Sequence, residues 1–297
     1  MEFNYDIVVL GDITLDWYCG NSFPHSFGQI AETNGIELWA QIDEVPGGSG
    51  LLFADSAQSA GYKTFLLGKV GDDPAGKSIR KWLQGRGLEI GVGISSTQGT
   101  GKVFIVHDCQ GSRLLISNGV NANGDLSMSD INGHLEILSN CRLLYVSGYC
   151  FRQPFSPRVA STRAAIDIAR QQKSLIALDV VPHEFHKLYP GYDNFLALTK
   201  GVDIIISEVA TIRRVIGLGN SDEEITKSIV EETIECLAQH YNHLILRYGP
   251  NSMDYQVVWA AEDSRAIWQE TDFMKSRDKR GYGDKLAVEA FRDFLRL

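Results

Sequence analysis

The sequence is poor in the features that mark several protein classes. Its 28 Lys and Arg are outnumbered by 37 Asp and Glu, for a formal charge of −9. That field argues against nucleic acid or an anionic membrane as a partner. It also means that a polyanionic ligand needs a local nest of N–H groups or basic side chains. The five cysteines (Cys19, Cys109, Cys141, Cys150 and Cys236) are dispersed, without the spacing of metal ligands, and such a set fits a reducing cytoplasm. No apolar run approaches a membrane span, and the first residues, Met1 to Asp6, carry no basic leader region. Internal repeats and low-complexity linkers are missing too. What remains is an ordinary globular composition, 44% hydrophobic and 22% charged over 297 residues, long enough to bury a large core. It reads as a single α/β domain over 1–297.

The most informative stretch is Arg280-Gly281-Tyr282-Gly283-Asp284 with the helix pattern after it. Leu286, Ala290 and Phe294 recur at four-residue spacing, flanked by Ala287 and Phe291, so one face is apolar. A glycine-rich turn opening a helix aims bare backbone N–H groups at one spot, and the helix dipole adds positive character there. The arrangement suits a phosphate or a developing anion, with Asp284 at its lip as a proton acceptor. The residues alone equally allow a loop with an N-capping Asp.

Upstream, Tyr5 to Leu10 reads as a buried strand that ends in Gly11-Asp12-Ile-Thr-Leu-Asp16. Ligands of open α/β sheets collect beyond the carboxyl ends of strands, which places Asp12 and Asp16 to meet one. Leu38 to Ile42 alternates as a half-exposed strand. Pro46-Gly47-Gly48-Ser-Gly50 opens a small-residue helix that Gly61 closes, and adjacent glycines let the backbone approach a ligand. Lys63 to Leu67 is a strand, followed by Gly68-Lys-Val-Gly-Asp-Asp-Pro-Ala-Gly76 and a helix from Lys77 to about Gln84. Thr100 to Ser117 is a hairpin with its turn at Asp108 to Gly111, and His107, a lone histidine on a strand, reads as packing. From Cys141 onward strand and helix alternate: 143–147, 156–172, 175–180, 203–207, 222–240 and 243–247. Strands separated by helices of this length imply parallel βαβ units with right-handed crossovers, hence a doubly wound sheet.

Taken together, these segments resemble the ribokinase-like (PfkB) carbohydrate kinases, in the family's order, from about residue 5 onward. The strongest pieces are Gly11 to Asp16, Pro46 to Gly50, Gly68 to Gly76 and Asp278 to Asp284. The resemblance implies a mostly parallel central sheet flanked by helices, with a small β lid from inserts at about 18–45 and 100–117. In it the aromatics Trp17, Tyr18, Phe23, Phe27 and Trp39 line a sugar or pack the lid. It further implies that the Gly281, Tyr282 and Gly283 amides form an anion hole with Asp284 as general base, and that Asp16, Gly47 and Gly48, with Asp12, bind substrate. ATP and Mg2+ are the implied cofactors, a sugar or nucleoside the implied substrate, and a homodimer through the lid an implied option. Ser207, Glu208, Arg247, Gly249, Asp278 and Arg280 are the candidate nucleotide-side residues. No metal ligand is assigned.

The sequence departs from the family at several points. Leu52 stands where a substrate-facing Asn is usual. The family's Asn-x-x-Glu becomes Ser207-Glu208-Val209-Ala210, and its Thr-x-Gly-x-x-Gly becomes Arg247-Tyr-Gly249-Pro-Asn-Ser252. Arg247 reads either as a phosphate ligand or as the partner of a surface carboxylate. Lys279 and Arg280 replace small hydroxyl residues, Tyr282 replaces a small one, and the chain ends thirteen residues after Asp284. The expectation is phosphoryl transfer from a nucleotide to an alcohol, with weak ATP binding. The alternatives are a degenerate, non-catalytic member that binds a polyol or a protein partner, a donor smaller than ATP, or an adenine site completed by another subunit.

Overall fold

The computed structural model describes residues 3–19, 25–32, 41–109, 113–181, 184–220, 223–276 and 280–294. The strands are β1 (Tyr5–Leu10), β2 (Thr14–Cys19), β3 (Ile42–Gly47), β4 (Thr64–Gly71), β5 (Glu89–Ser95), β6 (Gly101–His107), β7 (Arg113–Ser117), β8 (Cys141–Ser147), β9 (Leu175–Val180), β10 (Ile204–Glu208), β11 (His243–Tyr248), β12 (Tyr255–Ala260) and β13 (Arg265–Glu270). Nine of them form one sheet in the order β13-β12-β11-β10-β9-β8-β1-β4-β5. The seven from β5 to β11 run parallel, and β12 and β13 extend that edge antiparallel. The expected mostly parallel, helix-flanked sheet is therefore present, and so is a second, smaller sheet with the order β3-β2-β6-β7.

Strict alternation explains why the central strands read as unbroken apolar runs. On β1, Val8 and Leu10 enter one core while Ile7 and Val9 enter the other. On β8, Leu144 and Val146 face the first core, and Leu143 and Tyr145 the second. A parallel sheet covered on both faces has no polar side to show in the pattern. The second core is roofed by helices Ser49–Ser59, Pro74–Gly85 and Tyr282–Phe294. Phe53 is its keystone, stacked on Tyr145 at 3.6 Å and edge-on to Phe291 at 5.9 Å.

Helix Pro74–Gly85 starts where Asp73 caps the Gly76 amide, and Pro74 supplies a first-turn residue that needs no donor. Asp73 also accepts from the Thr100 amide and hydroxyl, which ties the start of β6 to the body. The alternation around Leu38–Ile42 lies mostly outside the described residues, as do Phe23, Trp39 and much of the turn after Asp108. Among the described residues, no helix is long and apolar enough to cross a membrane.

Candidate active site

Strand order places the site. β1 is flanked by β4 on one side and β8 on the other, so the chain reverses its winding direction there. The carboxyl ends of strands beside such a switch point form a crevice. Asp12 follows β1, and Ser147, Asp179, Glu208 and Arg247 lie at or near the ends of β8, β9, β10 and β11.

Asp12 is held by its surroundings. One carboxylate oxygen accepts from the Ser49 and Ser147 hydroxyls, both at 2.9 Å, and the other from the Ser49 amide at 3.1 Å. The carboxylate thus anchors the N-terminus of helix Ser49–Ser59 to β1 and β8. Backbones meet closely here, since a Cβ on Gly11 would fall 2.3 Å from the Gly50 Cα. Asp16 rides instead on the small sheet, on β2. It is 6% exposed, accepts from the Thr14 hydroxyl at 2.6 Å, and has one oxygen 2.0 Å from where Gly47 would carry a Cβ. Burial raises its pKa to about 6, helped by Asp12 and opposed by the Thr14 hydroxyl and by Arg280.

The glycine turn takes the form the sequence suggests. Gly281 has φ +63°, and helix Tyr282–Phe294 follows at once. Its first intrahelical bond runs from the Lys285 amide to the Gly281 carbonyl at 2.9 Å, so the amides of Tyr282, Gly283 and Asp284 precede the ladder. The Tyr282 ring packs edge-on against Phe273 at 5.2 Å, so only the backbone of this residue faces the turn. Leu52 lies beneath Gly281, with its Cβ 3.4 Å from a virtual side chain there; the residue that replaces the family's Asn therefore builds an apolar wall under the turn.

Asp284 is 8% exposed. Burial and the neighbouring Asp179 push its pKa well above the ordinary carboxylate range, Arg247 opposes them, and Asp12 adds to the rise. Arg247 is 5% exposed, pairs with Asp179 at 3.2 Å, and has Nη1 2.0 Å from the Cβ position of Gly283. Tyr145 donates to the other oxygen of Asp179 at 3.1 Å. Of the two readings open for Arg247, the structure realises a carboxylate partner, and that partner is buried. Register explains the cluster. Ile206 pairs with Asp179 and Glu208 with Arg247, and paired residues on neighbouring parallel strands share a sheet face. That face is the one covered by the Asp284 helix.

The remaining nucleotide-side candidates are more spread out. Ser207 is fully buried, and its hydroxyl donates to the Val180 and Glu208 carbonyls. Glu208, half-buried, precedes helix Val209–Ile216. Gly249 has φ +113° in the turn after β11, and Ser252 keeps a left-handed φ of +62° where the family has its second glycine. A cavity of about 280 Å³ opens beside that turn, lined by Pro250, Asn251, Asp254, Tyr255, Glu270, Thr271 and Lys275. Arg280 is exposed, with its guanidinium 5.4 Å from the ring of Tyr18 on β2. Asp278 lies outside the described residues. Among the described residues, no three His, Cys, Asp or Glu side chains converge as a metal site. Sequence reasoning misses Tyr145 and Asp179 altogether. The usable signal is one polar residue late in an otherwise apolar strand, as Asp179 is in Leu175–Val180.

The pattern of the pfkB family carbohydrate kinases matches residues 6–260. The chain belongs to this family and is of the kinase class. No curated protein matches it at a significant level. Among solved structures it is similar to adenosine kinase from Schistosoma mansoni in complex with 2-fluoroadenosine, at 15% identity and TM-score 0.76 over 100% of this chain and 90% of that one. Adenosine kinase from Sinorhizobium meliloti gives 18% and 0.75 over 97% and 86%. A putative ribokinase II from E. coli in complex with ATP and Mg2+ gives 20% and 0.72 over 98% and 88%. At these identities the likeness establishes a common fold.

Proposed function

We propose that the protein transfers the terminal phosphoryl group of a nucleoside triphosphate, ATP in the simplest case, to an alcohol of a sugar or nucleoside. The observation that carries this reading is Asp284: a buried carboxylate in the first turn of a helix, directly after a left-handed glycine, at the carboxyl edge of the sheet beside the switch point. The structural neighbours named for ribokinase and adenosine kinase agree with it.

The substrate alcohol is oriented by Asp16 and by the Gly47–Gly48 backbone beneath it, with the small sheet as a lid. As the alcohol oxygen bonds to phosphorus, its proton passes to Asp284 and the bond from phosphorus to the nucleotide's bridging oxygen breaks, releasing the diphosphate. Phosphoryl transfer is loose, so placement and electrostatics dominate. The Tyr282 and Gly283 amides and the helix N-terminus stabilise the charge on the moving group. Magnesium, when bound with the nucleotide, neutralises phosphate charge. A hard cation of this kind needs only one or two carboxylates besides phosphate oxygens and water, a set that Glu208 at the end of β10 fits.

The test is phosphoryl transfer from Mg-ATP to a panel of sugars and nucleosides, paired with thermal shift. A ligand at about a hundred times its Kd stabilises by about 2.7 kcal/mol. Turnover of one acceptor supports the reading. Stabilisation by an acceptor without transfer from any nucleotide replaces it with the binding-protein alternative, which the Ala210 and Ser252 replacements favour.

A further inference from the structure

Beneath the glycine turn, several charged groups are packed out of water. Asp284 is faced by Asp12 from the end of β1, Tyr145 from β8, Asp179 from β9 and Arg247 from β11, and Glu208 at the end of β10 acts on Arg247 and Asp179. Of these, only Arg247 is cationic. On the same helix, Lys285 turns away toward Glu289, 3.7 Å distant. Isolated carboxylates at such depth take up protons unless a counter-charge is fixed beside them.

Arg247 is fixed in that role. Its guanidinium is bonded on one edge to Asp179 at 3.2 Å. Another edge, Nη1, occupies the space where a side chain on Gly283 would begin, in the same turn as Asp284. Its Nε is buried with no hydrogen-bond partner among the described residues. Burial works against its charge but is outweighed by Asp179, Glu208 and Asp284, which keep it cationic.

We propose that Arg247 is a positioning residue for phosphoryl transfer: anchored on Asp179 and seated against Gly283, it is the internal counter-charge that draws Asp284 toward its ionised, proton-accepting form against the burial and the neighbouring carboxylates. The inference rests on Asp284 being the base, as proposed above. It assigns opposite effects to two residues that touch each other. Removing the cation favours protonated Asp284, whereas removing the Asp179 charge frees Arg247 to act on Asp284 alone.

The experiment follows the carboxyl carbon of Asp284 by 13C NMR in the full-length protein as pH is varied, with Asp284→Asn identifying the resonance. The pH dependence of kcat/KM is measured in parallel. In Arg247→Met the titration midpoint and the acid limb are expected to move up together by about one to three pH units, the usual effect of a nearby opposite charge. Arg247→Lys moves them less, and Asp179→Asn moves them down. Unchanged midpoints in folded Arg247→Met, or shifts of the same sign in Arg247→Met and Asp179→Asn, overturn the inference. If Arg247→Met does not fold, Arg247→Gln and Arg247→Lys decide in its place: a rise in either folded variant supports the inference, and no change or a fall overturns it. Because the NMR titration needs no turnover, it decides this point even if Asp284 proves not to be the base.

Discussion

The carboxylate of Asp16 occupies the space in which residue 47 would carry a side chain, with Oδ2 2.0 Å from the virtual Cβ of Gly47. Thr14 pairs with Gly47 and Asp16 with Val45 across the β2–β3 ladder, so the two are held in register by backbone bonds. Gly47→Ala is therefore expected to push Asp16 off its position without unfolding the protein. Overpacking of this kind costs about 1–3 kcal/mol, and kcat/KM is expected to fall roughly tenfold or more. Steady-state kinetics together with an unchanged circular dichroism spectrum check it.

Asp16 also sets a pH dependence. Its pKa is raised to about 6, chiefly by burial. The form that accepts hydroxyl protons in hydrogen bonds is the carboxylate, so substrate binding is expected to weaken as pH falls through about 6. The acid limb is read in 1/KM. In Asp16→Asn that limb is absent, and KM is high at every pH.

Asp284→Asn separates chemistry from stability. Turnover is expected to drop about 10²–10⁴-fold, the usual weight of a positioned acid–base group, with little change in KM. Because burial and Asp179 raise the Asp284 pKa, its contribution to stability is intact below the ordinary carboxylate pKa and is lost as pH rises through the raised value. The Asn variant is thus expected to melt above wild type at about pH 8 and to lose that lead toward about pH 4. Thermal scans across pH measure the crossover.

Asp12→Ala tests a structural bond set. The change strips Ser49 and Ser147 of their shared acceptor. Hydrogen bonds to a charged group contribute about 1.5–3 kcal/mol each, and they are not additive, so a loss of roughly 3 kcal/mol is expected in urea unfolding. A variant with wild-type stability and impaired substrate binding would instead assign Asp12 to the ligand.

The legible and illegible parts of this molecule divide along physical lines. Gly281 to Asp284, Pro46 to Gly50 and the strands of the parallel sheet are marked locally, by glycine punctuation and by unbroken apolar runs. Strands β12 and β13 carry no such mark, because Tyr255–Ala260 alternates weakly, and its place at the antiparallel edge is set by pairing with β11 and β13. Tyr145, Asp179 and Arg247 meet because their strands share a face at matching register, a relation between distant segments that no local window contains. Even the meaning of Arg247 depends on it. As a sequence residue it suits a phosphate or a surface partner, and only the register sets it beside Asp179.

The position of β1 inside the large sheet, between β8 and β4, bears on how the protein comes to be active. Its neighbours β4 and β8 are both later in the chain, and Asp284 stands on a helix later still. A growing chain exposes its amino-terminal segments first, so the first strand made must wait for partners on either side, with its apolar faces uncovered. Contacts this distant in sequence form slowly. Asp12, at the end of β1, and Asp284 come near each other only once β1 has both its partners and the last helix is in place, so the arrangement proposed as the active site is expected to be completed late in folding.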